Sequence, residues 1–120
     1  NAAGDWTNNG GTFTPGTGTV TFNNTTAVQN ISSTTASQTF YNIVIAKTDQ
    51  TLSVAASTTT LNINTLTLTS GTFTAGTATS INVSGDWTNN GGTFTPGSGT
   101  VTFNGASAQT ITSQTINKTN

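Results

Sequence analysis

Acid–base chemistry in this chain would rest on three carboxylates, Asp5, Asp49 and Asp86. Two carboxylates can act as the general acid and base of sugar hydrolysis, and a cluster of them can bind calcium. Asp5 and Asp86, however, hold equivalent places in two copies of one repeated sequence, each directly before a Trp. Their recurrence follows the repeat rather than a single cleft. We therefore expect each to cap a tight turn through its own side chain.

The composition excludes most other catalytic and metal-binding arrangements. The chain has no His, Cys, Arg or Glu, so nucleophilic triads, zinc sites and guanidinium clamps are not possible. Calcium needs about six to eight oxygen ligands, and the Gly-Gly-x-Gly-x-Asp pattern of calcium-binding β-rolls is missing. The sequence thus predicts no enzyme activity, no metal and no cofactor.

Aromatic and Thr side chains leave a binding function open as an alternative. Trp6, Trp87 and Tyr41 could stack on sugar rings, although aromatic residues in β repeats more often pack inside. Thr-x-Thr pairs such as Thr12-Phe-Thr14, stacked on a flat face, would be similar to ice-binding surfaces. Thr is also the polar residue best suited to a solvent-facing strand. The alternative function is therefore a module that recognises glycans or ice through Thr-rich faces.

A duplication organises the chain. The stretch Gly4–Asn23 returns at Gly85–Asn104 with an offset of 81 residues, and only Thr17 changes, to Ser98. Such near-identity indicates a duplicated building block. We predict a single repeat-built domain over residues 1–120 that holds about one and a half repeats. The first unit spans 4–84, and 85–120 begins the second; we expect an excerpt of a longer array or a subunit that continues itself end to end.

Charge is nearly absent, with a formal net charge of −1 at pH 7. A neutral surface has no field to attract nucleic acid, which argues against that partner. It also lacks the repulsion that keeps soluble monomers apart, so self-association is expected. No stretch approaches the length of apolar sequence that a membrane span requires.

Apolar residues alternate with polar ones in short bursts, which is typical of strands with one buried face. No helical spacing is sustained, so the sequence predicts an all-β fold. The inward positions of these bursts form the expected core: Phe13, Val20, Phe22, Ile43, Ile45, Leu52, Leu61, Leu66, Leu68, Phe73, Ile81, Phe94, Val101 and Phe103.

Turn signals separate the bursts at intervals of about seven to ten residues, among them Pro15-Gly16, Ser70-Gly71 and Pro96-Gly97. Three such segments make a lap of about 20 residues, and four laps would fill the 81-residue period. This arithmetic favours a β-solenoid, a parallel β-helix in which rows of Thr and Asn hydrogen-bond along the stack. Tandem β-sandwich repeats are the alternative, since they also use short strands with regular turns.

Several phrases of the chain resemble repeats of very large bacterial secreted and cell-surface proteins. They are Gly-Asp-Trp-Thr-Asn-Asn-Gly-Gly-Thr-Phe-Thr-Pro-Gly, Gly-Thr-Val-Thr-Phe-Asn, Phe40-Tyr-Asn-Ile-Val-Ile45 and Leu66-Thr-Leu-Thr-Ser-Gly71. Those proteins are adhesin-like and are thought to form β-helical stalks, in the style of filamentous haemagglutinins. The resemblance covers essentially the whole chain, but it concerns a scaffold and brings no catalytic residues.

That resemblance implies export and a surface or matrix role. Together with the duplication and the missing catalytic residues, it leads us to expect a structural repeat of an extracellular filament or bacterial surface stalk. The expected partners are other copies of the chain and surface glycans, with no nucleic acid and no membrane span.

Overall fold

A computed structural model describes residues 1–114, in which every regular element is a β-strand. The strands are β1 (Trp6–Asn8), β2 (Thr19–Phe22), β3 (Gln29–Ser33), β4 (Ser37–Thr39), β5 (Asn42–Ala56), β6 (Thr60–Ile63), β7 (Thr65–Thr74), β8 (Ser80–Val83), β9 (Trp87–Asn89), β10 (Thr93–Thr95), β11 (Thr100–Phe103) and β12 (Ile111–Ser113). All ten strand pairings are parallel. The predicted all-β class is confirmed.

Strand registers arrange these segments in three stacked columns, which are the three faces of a β-solenoid. Face 1 carries β2, the first half of β5, the first half of β7, β9 and β12. Face 2 carries β1, β3, the second halves of β5 and β7, and β10. Face 3 carries β4, β6, β8 and β11. Because sandwiches are built from antiparallel sheets, this all-parallel ladder excludes the tandem-sandwich alternative.

The solenoid makes about 5 turns with laps of about 23 residues, longer than the predicted 20. The extra length lies at the corner between faces 1 and 2, where the chain continues as strand. Strand β5 has 15 residues and β7 has 10, so each serves two faces. Asp49, with a φ of 61°, turns the corner within β5. Asp tolerates this left-handed conformation better than most residues, and no Gly or Pro marks the bend.

A single apolar column fills the space between the three faces. Nine of the fourteen expected core residues are buried in it: Phe22, Ile43, Ile45, Leu52, Leu61, Leu66, Leu68, Phe73 and Ile81. Val20, Phe94 and Val101 pack against it while partly buried. The structure also buries Val54, Ile63 and Val83, which are inward members of the same alternating bursts, together with Ile31, Phe40 and Trp87. The core is thin and continuous, as stacking of short laps requires.

Two expected core residues are not buried: Phe13 is 36 % exposed and Phe103 is 37 % exposed. Both lie in the outermost laps of the described residues, where a neighbour stacks on one side only. Their sequence positions face inward by alternation, but burial also needs a lap above and a lap below. Alternation therefore predicts direction correctly and burial only for the middle of the stack.

The two copies of the repeat do not stack on the same face. Trp6 pairs with Ile31 on face 2, whereas Trp87 pairs with Leu66 on face 1. From the Trp6 strand to the Trp87 strand the chain advances by eleven face segments, counting the Phe13 segment and each half of β5 and β7 separately. Eleven is not a multiple of three, so the second copy is displaced by one face. The expected four laps per 81 residues are wrong; the unit makes three and two-thirds laps.

Candidate functional site

The two repeated Asp residues each connect one lap to the next. The sequence predicts instead that each caps its own turn. Oδ1 of Asp5 accepts a hydrogen bond of 2.8 Å from the backbone N–H of Asn30, and Oδ1 of Asp86 accepts one of 2.8 Å from Thr110. Each donor lies one lap further along the chain. Among residues 1–114, no three acidic, His or Cys side chains come together as a metal site would need. The carboxylates of Asp5 and Asp86 hold the stack.

A Gln accompanies each of these Asp residues: Gln29 is buried and Gln109 is half-buried. Gln29 donates through Nε2 to the carbonyls of Ala2 and Gly4, and Gln109 donates to those of Val83 and Gly85. Because the acceptors are equivalent in the two copies, the duplication is structural as well as sequential. Each Gln fixes the corner that precedes a Trp strand.

Lys47 is the only Lys or Arg among the described residues, and it is fully buried. Its Nζ donates to the carbonyls of Asn24 and Ala27, at 2.6 and 2.9 Å, and to Oε1 of Gln29 at 2.9 Å. These three bonds use all its donors. Burial lowers the pKa of the Lys47 ammonium below its ordinary 10.5, and the nearby Asp5 carboxylate opposes that shift. The side chain binds the loop of the preceding lap and is not free for catalysis.

The outward Thr rows are less regular than an ice-like surface would require. On face 1 the outward row reads Thr21, Val44, Thr67, Thr88 and Thr112 along the registers. Its neighbouring row places Asn42 between Thr19 and Thr65. Within residues 1–114, one Thr-x-Thr pair stacks directly on another only on face 2, at Thr72-Phe-Thr74 and Thr93-Phe-Thr95. The described laps therefore present no broad two-row Thr array.

Asn side chains form the hydrogen-bonded ladder expected along the stack, and some Thr side chains take part in it. On face 3, Nδ2 of Asn82 donates to Oδ1 of Asn62 at 2.9 Å, and Asn62 donates to Oγ1 of Thr39 at 3.4 Å. Other Thr hydroxyls bond backbone carbonyls of the preceding lap, as Thr69 does to Ile45 at 2.9 Å and Thr77 to Thr58 at 2.7 Å. Both patterns link one lap to the next.

Aromatic clusters stand near both ends of the stack. Trp6 packs edge-on against Phe13 and Phe40, with ring centroids 4.5 and 5.0 Å apart. In the second copy, Trp87 packs in the same way against Phe94 at 4.9 Å. The sequence-predicted sugar platforms Trp6 and Trp87 are thus packing residues.

The second cluster differs from the first at one position. Phe40, buried, is the fourth ring beside Trp6, Phe13 and Phe22. In the second cluster the fourth ring is Phe73 of the preceding lap, 5.5 Å from Phe94, and within the described part of the chain no ring from a following lap joins Trp87, Phe94 and Phe103. An open apolar cavity of about 200 Å³ lies there, lined by Trp87, Phe94, Val101, Phe103 and Ile111. Ile111 at its rim is 63 % exposed.

A second cavity lies on the side of the solenoid, at the corner between faces 3 and 1. It is an open cleft of about 260 Å³ whose lining includes Tyr41, Asn62, Asn64, Asn82 and Asn104. Tyr41 is 37 % exposed, so this third candidate sugar platform is accessible, whereas Trp87 is buried and Trp6 half-buried.

Sequence reasoning missed the buried polar residues, although the signal was present. Lys47 continues the inward series Ile43, Ile45 at period two, and Gln29 begins the buried series of β3. A polar residue at an inward position of an alternating run predicts a buried, bonded side chain. The carbonyls that satisfy Lys47 come from a distant loop and could not be read from the sequence.

Comparisons with known proteins give no identification of this chain. No protein-family model matches it, and neither the curated proteins nor the solved structures contain a match. Residues 1–114 contain no helix with the length and hydropathy to cross a membrane. The functional argument therefore depends on the sequence and the structure of this chain.

Proposed function

We propose that this chain is a structural repeat of an extracellular filament or bacterial surface stalk, which self-associates end to end and has an adhesion or matrix role. The observation that carries the proposal is the open apolar cavity beside Trp87. In the first copy the equivalent cluster is completed by Phe40 from a following lap. A further lap that stacked on the second copy would complete it in the same way.

Unpaired strand edges support the same proposal. Within residues 1–114, the terminal strands β10, β11 and β12 each have one neighbour, β7, β8 and β9. Exposed strand edges bind further strands unless charge, Pro or a covering element protects them. The edge strands β10–β12 carry no charged residue and no Pro. Among the described residues, no strand pairs with the outer edges of β10, β11 and β12.

The near-zero charge shapes how copies would associate. With a net charge of −1, repulsion between copies is small, so association should vary little with salt. Ladder and side-chain hydrogen bonds, each contributing about 0.5–1.5 kcal/mol, would hold the laps. No His titrates near neutral pH. The extracellular and bacterial parts of the proposal rest on the resemblance described above.

Substitution of Ile111 by Lys tests the proposal. This residue is 63 % exposed, so Lys should leave the fold intact while placing a charge on the docking end. Sedimentation velocity should show the unmodified chain forming species that grow with concentration, and electron microscopy should show filaments. Ile111→Lys should reduce the assembled fraction at least about tenfold.

Thr67→Lys is the matched control, because it adds the same charge to an outward position in the middle of face 1. It should assemble as the unmodified chain does. If the unmodified chain stays a monodisperse 12.1 kDa monomer at high concentration, the proposal is wrong.

A further inference from the structure

The cleft that contains Tyr41 runs along the stacking axis and crosses several laps. Two rows of side chains border it. One row, on face 3, follows the registers Thr39, Asn62 and Asn82. The other row follows the corner and consists of Tyr41, Asn64, Ser84 and Asn104. The backbone N–H of Asn64 donates to the Tyr41 carbonyl at 2.8 Å. Those of Ser84 and Asn104 donate to the carbonyls of Ile63 and Val83, at 2.9 and 3.0 Å. The cleft is therefore a groove with a periodic lining.

The lining is uncharged, and its amides keep hydrogen-bonding capacity. Asn82 gives one of its two N–H donors to Asn62 and accepts from Ser80 with Oδ1. Asn64 donates to Asn42 and accepts from Ser84. An amide has two donors and two acceptor lone pairs, so these bonds fix the side chains without using them fully. The groove thus offers neutral donors and acceptors, held in place.

Tyr41 supplies an apolar surface in the same groove, next to the buried Phe40 and Ile63. An aromatic face beside a few fixed polar groups is the usual chemistry of a small-molecule or sugar site. Nucleic acid or acidic polysaccharide would require basic residues, and none lines this groove. The chemistry that remains is that of a neutral sugar chain.

The geometry points to a groove for a neutral polysaccharide that lies along the stacking axis. We propose that Tyr41 stacks on one sugar ring and that the Asn62–Asn82 row and Asn104 bind hydroxyls of the following rings. Successive laps are about 4.7–4.9 Å apart, close to the advance per ring of an extended β-1,4-linked chain. This function goes beyond the proposed stalk, which needs no groove on its side.

Neutral hexasaccharides test the proposal directly. Calorimetric titrations would use cellohexaose, xylohexaose and β-1,4-mannohexaose, with a heparin hexasaccharide as the charged probe. At least one neutral probe should bind with a Kd below about 1 mM, and heparin should not. Tyr41→Ala should weaken that binding at least tenfold, whereas Tyr41→Phe, which keeps the ring, should weaken it less than about threefold.

Two further variants keep the test decisive if Tyr41→Ala disturbs folding. Asn104→Leu, at an exposed position of the lining, should weaken binding at least about threefold; Thr67→Val, on face 1 outside the groove, should not change it. The proposal is overturned if none of the neutral probes binds at about 5 mM. It is also overturned if heparin alone binds, or if neither Tyr41→Ala nor Asn104→Leu reduces binding.

Discussion

Phe94 stacks in register on Phe73 within strand β10, with ring centroids 5.5 Å apart, whereas Phe13 lies in no strand. Phe13 and Phe94 share the same local sequence, Gly-Gly-Thr-Phe-Thr-Pro-Gly. Phe94 has a preceding lap, β7, on which its strand forms; the described chain holds no lap before Phe13. The strand conformation of this sequence is therefore imposed by the neighbouring lap.

A preceding unit should convert the Phe13 segment into a strand. The protein to test carries a second copy of residues 4–84 fused directly in front of Gly4. The junction is native in sequence, because Ser84 is then followed by Gly4 in the place of Gly85. Hydrogen exchange should slow at least about tenfold for the amides of Thr12–Thr14, since a formed ladder protects them. Thr93–Thr95, already paired, should exchange as before. Unchanged exchange at Thr12–Thr14 would contradict the templating explanation.

Gly76 and Gly97 occupy equivalent turns on successive laps, with φ of 56° and 62°. A Cβ at Gly76 would collide with the carbonyl oxygen of Val54, whereas one at Gly97 would have no atom within 4 Å. Gly76→Ala should therefore lower the free energy of unfolding by about 3 kcal/mol or more. Gly97→Ala should cost only the left-handed backbone strain, about 1–2 kcal/mol. Urea denaturation of both variants measures the difference, and equal costs would refute it.

Lys47→Met should lower the free energy of unfolding at pH 7 by about 2–4 kcal/mol, because the buried Oε1 of Gln29 and the partly buried carbonyls of Asn24 and Ala27 lose their donor. Thr67→Val, on the outer face, should change it by less than about 0.5 kcal/mol. Denaturant titrations compare the two. A Met variant as stable as the parent would show that these bonds contribute little.

The same Lys47 gives a pH dependence of known sign. The pKa of Lys47 is lower in the folded state than the ordinary 10.5. At pH values between the folded-state pKa and 10.5, the unfolded state therefore binds more protons than the folded state. Stability should therefore rise with pH in the window just below 10.5, and this rise should be absent from Lys47→Met. Thermal unfolding at closely spaced pH values measures it. An identical rise in both proteins would assign it to another group.

Much of the fold could be predicted from alternation, because the inward series Ile43, Leu66 and Ile81 needs only period two and regular turns. The length of a lap could not be predicted in this way. The corner at Asp49 turns with neither Gly nor Pro and leaves β5 as one strand across two faces. The groove beside Tyr41 was also hidden, since its residues are brought together by stacking across laps and not by proximity in sequence.

Tandem copies of the unit should follow one another with a fixed rotation. The test protein has six units, with a small marker domain inserted between Asn9 and Gly10 and at each equivalent turn. Each marker should be rotated about the solenoid axis by about a third of a turn relative to the marker of the preceding unit. The exposed turn tolerates insertion. The axial advance should be about 18 Å per unit, for three and two-thirds laps. Markers aligned on one side in electron micrographs would contradict the register displacement of Trp6 and Trp87.

That displacement also determines how an array would meet a flat surface. Only every third unit presents a given turn or groove to one side, so contacts with that surface recur about every 53 Å along the axis. The two units between them point elsewhere and remain available to other surfaces. An array built in this way has no preferred side, and it can link three neighbours at once without twisting.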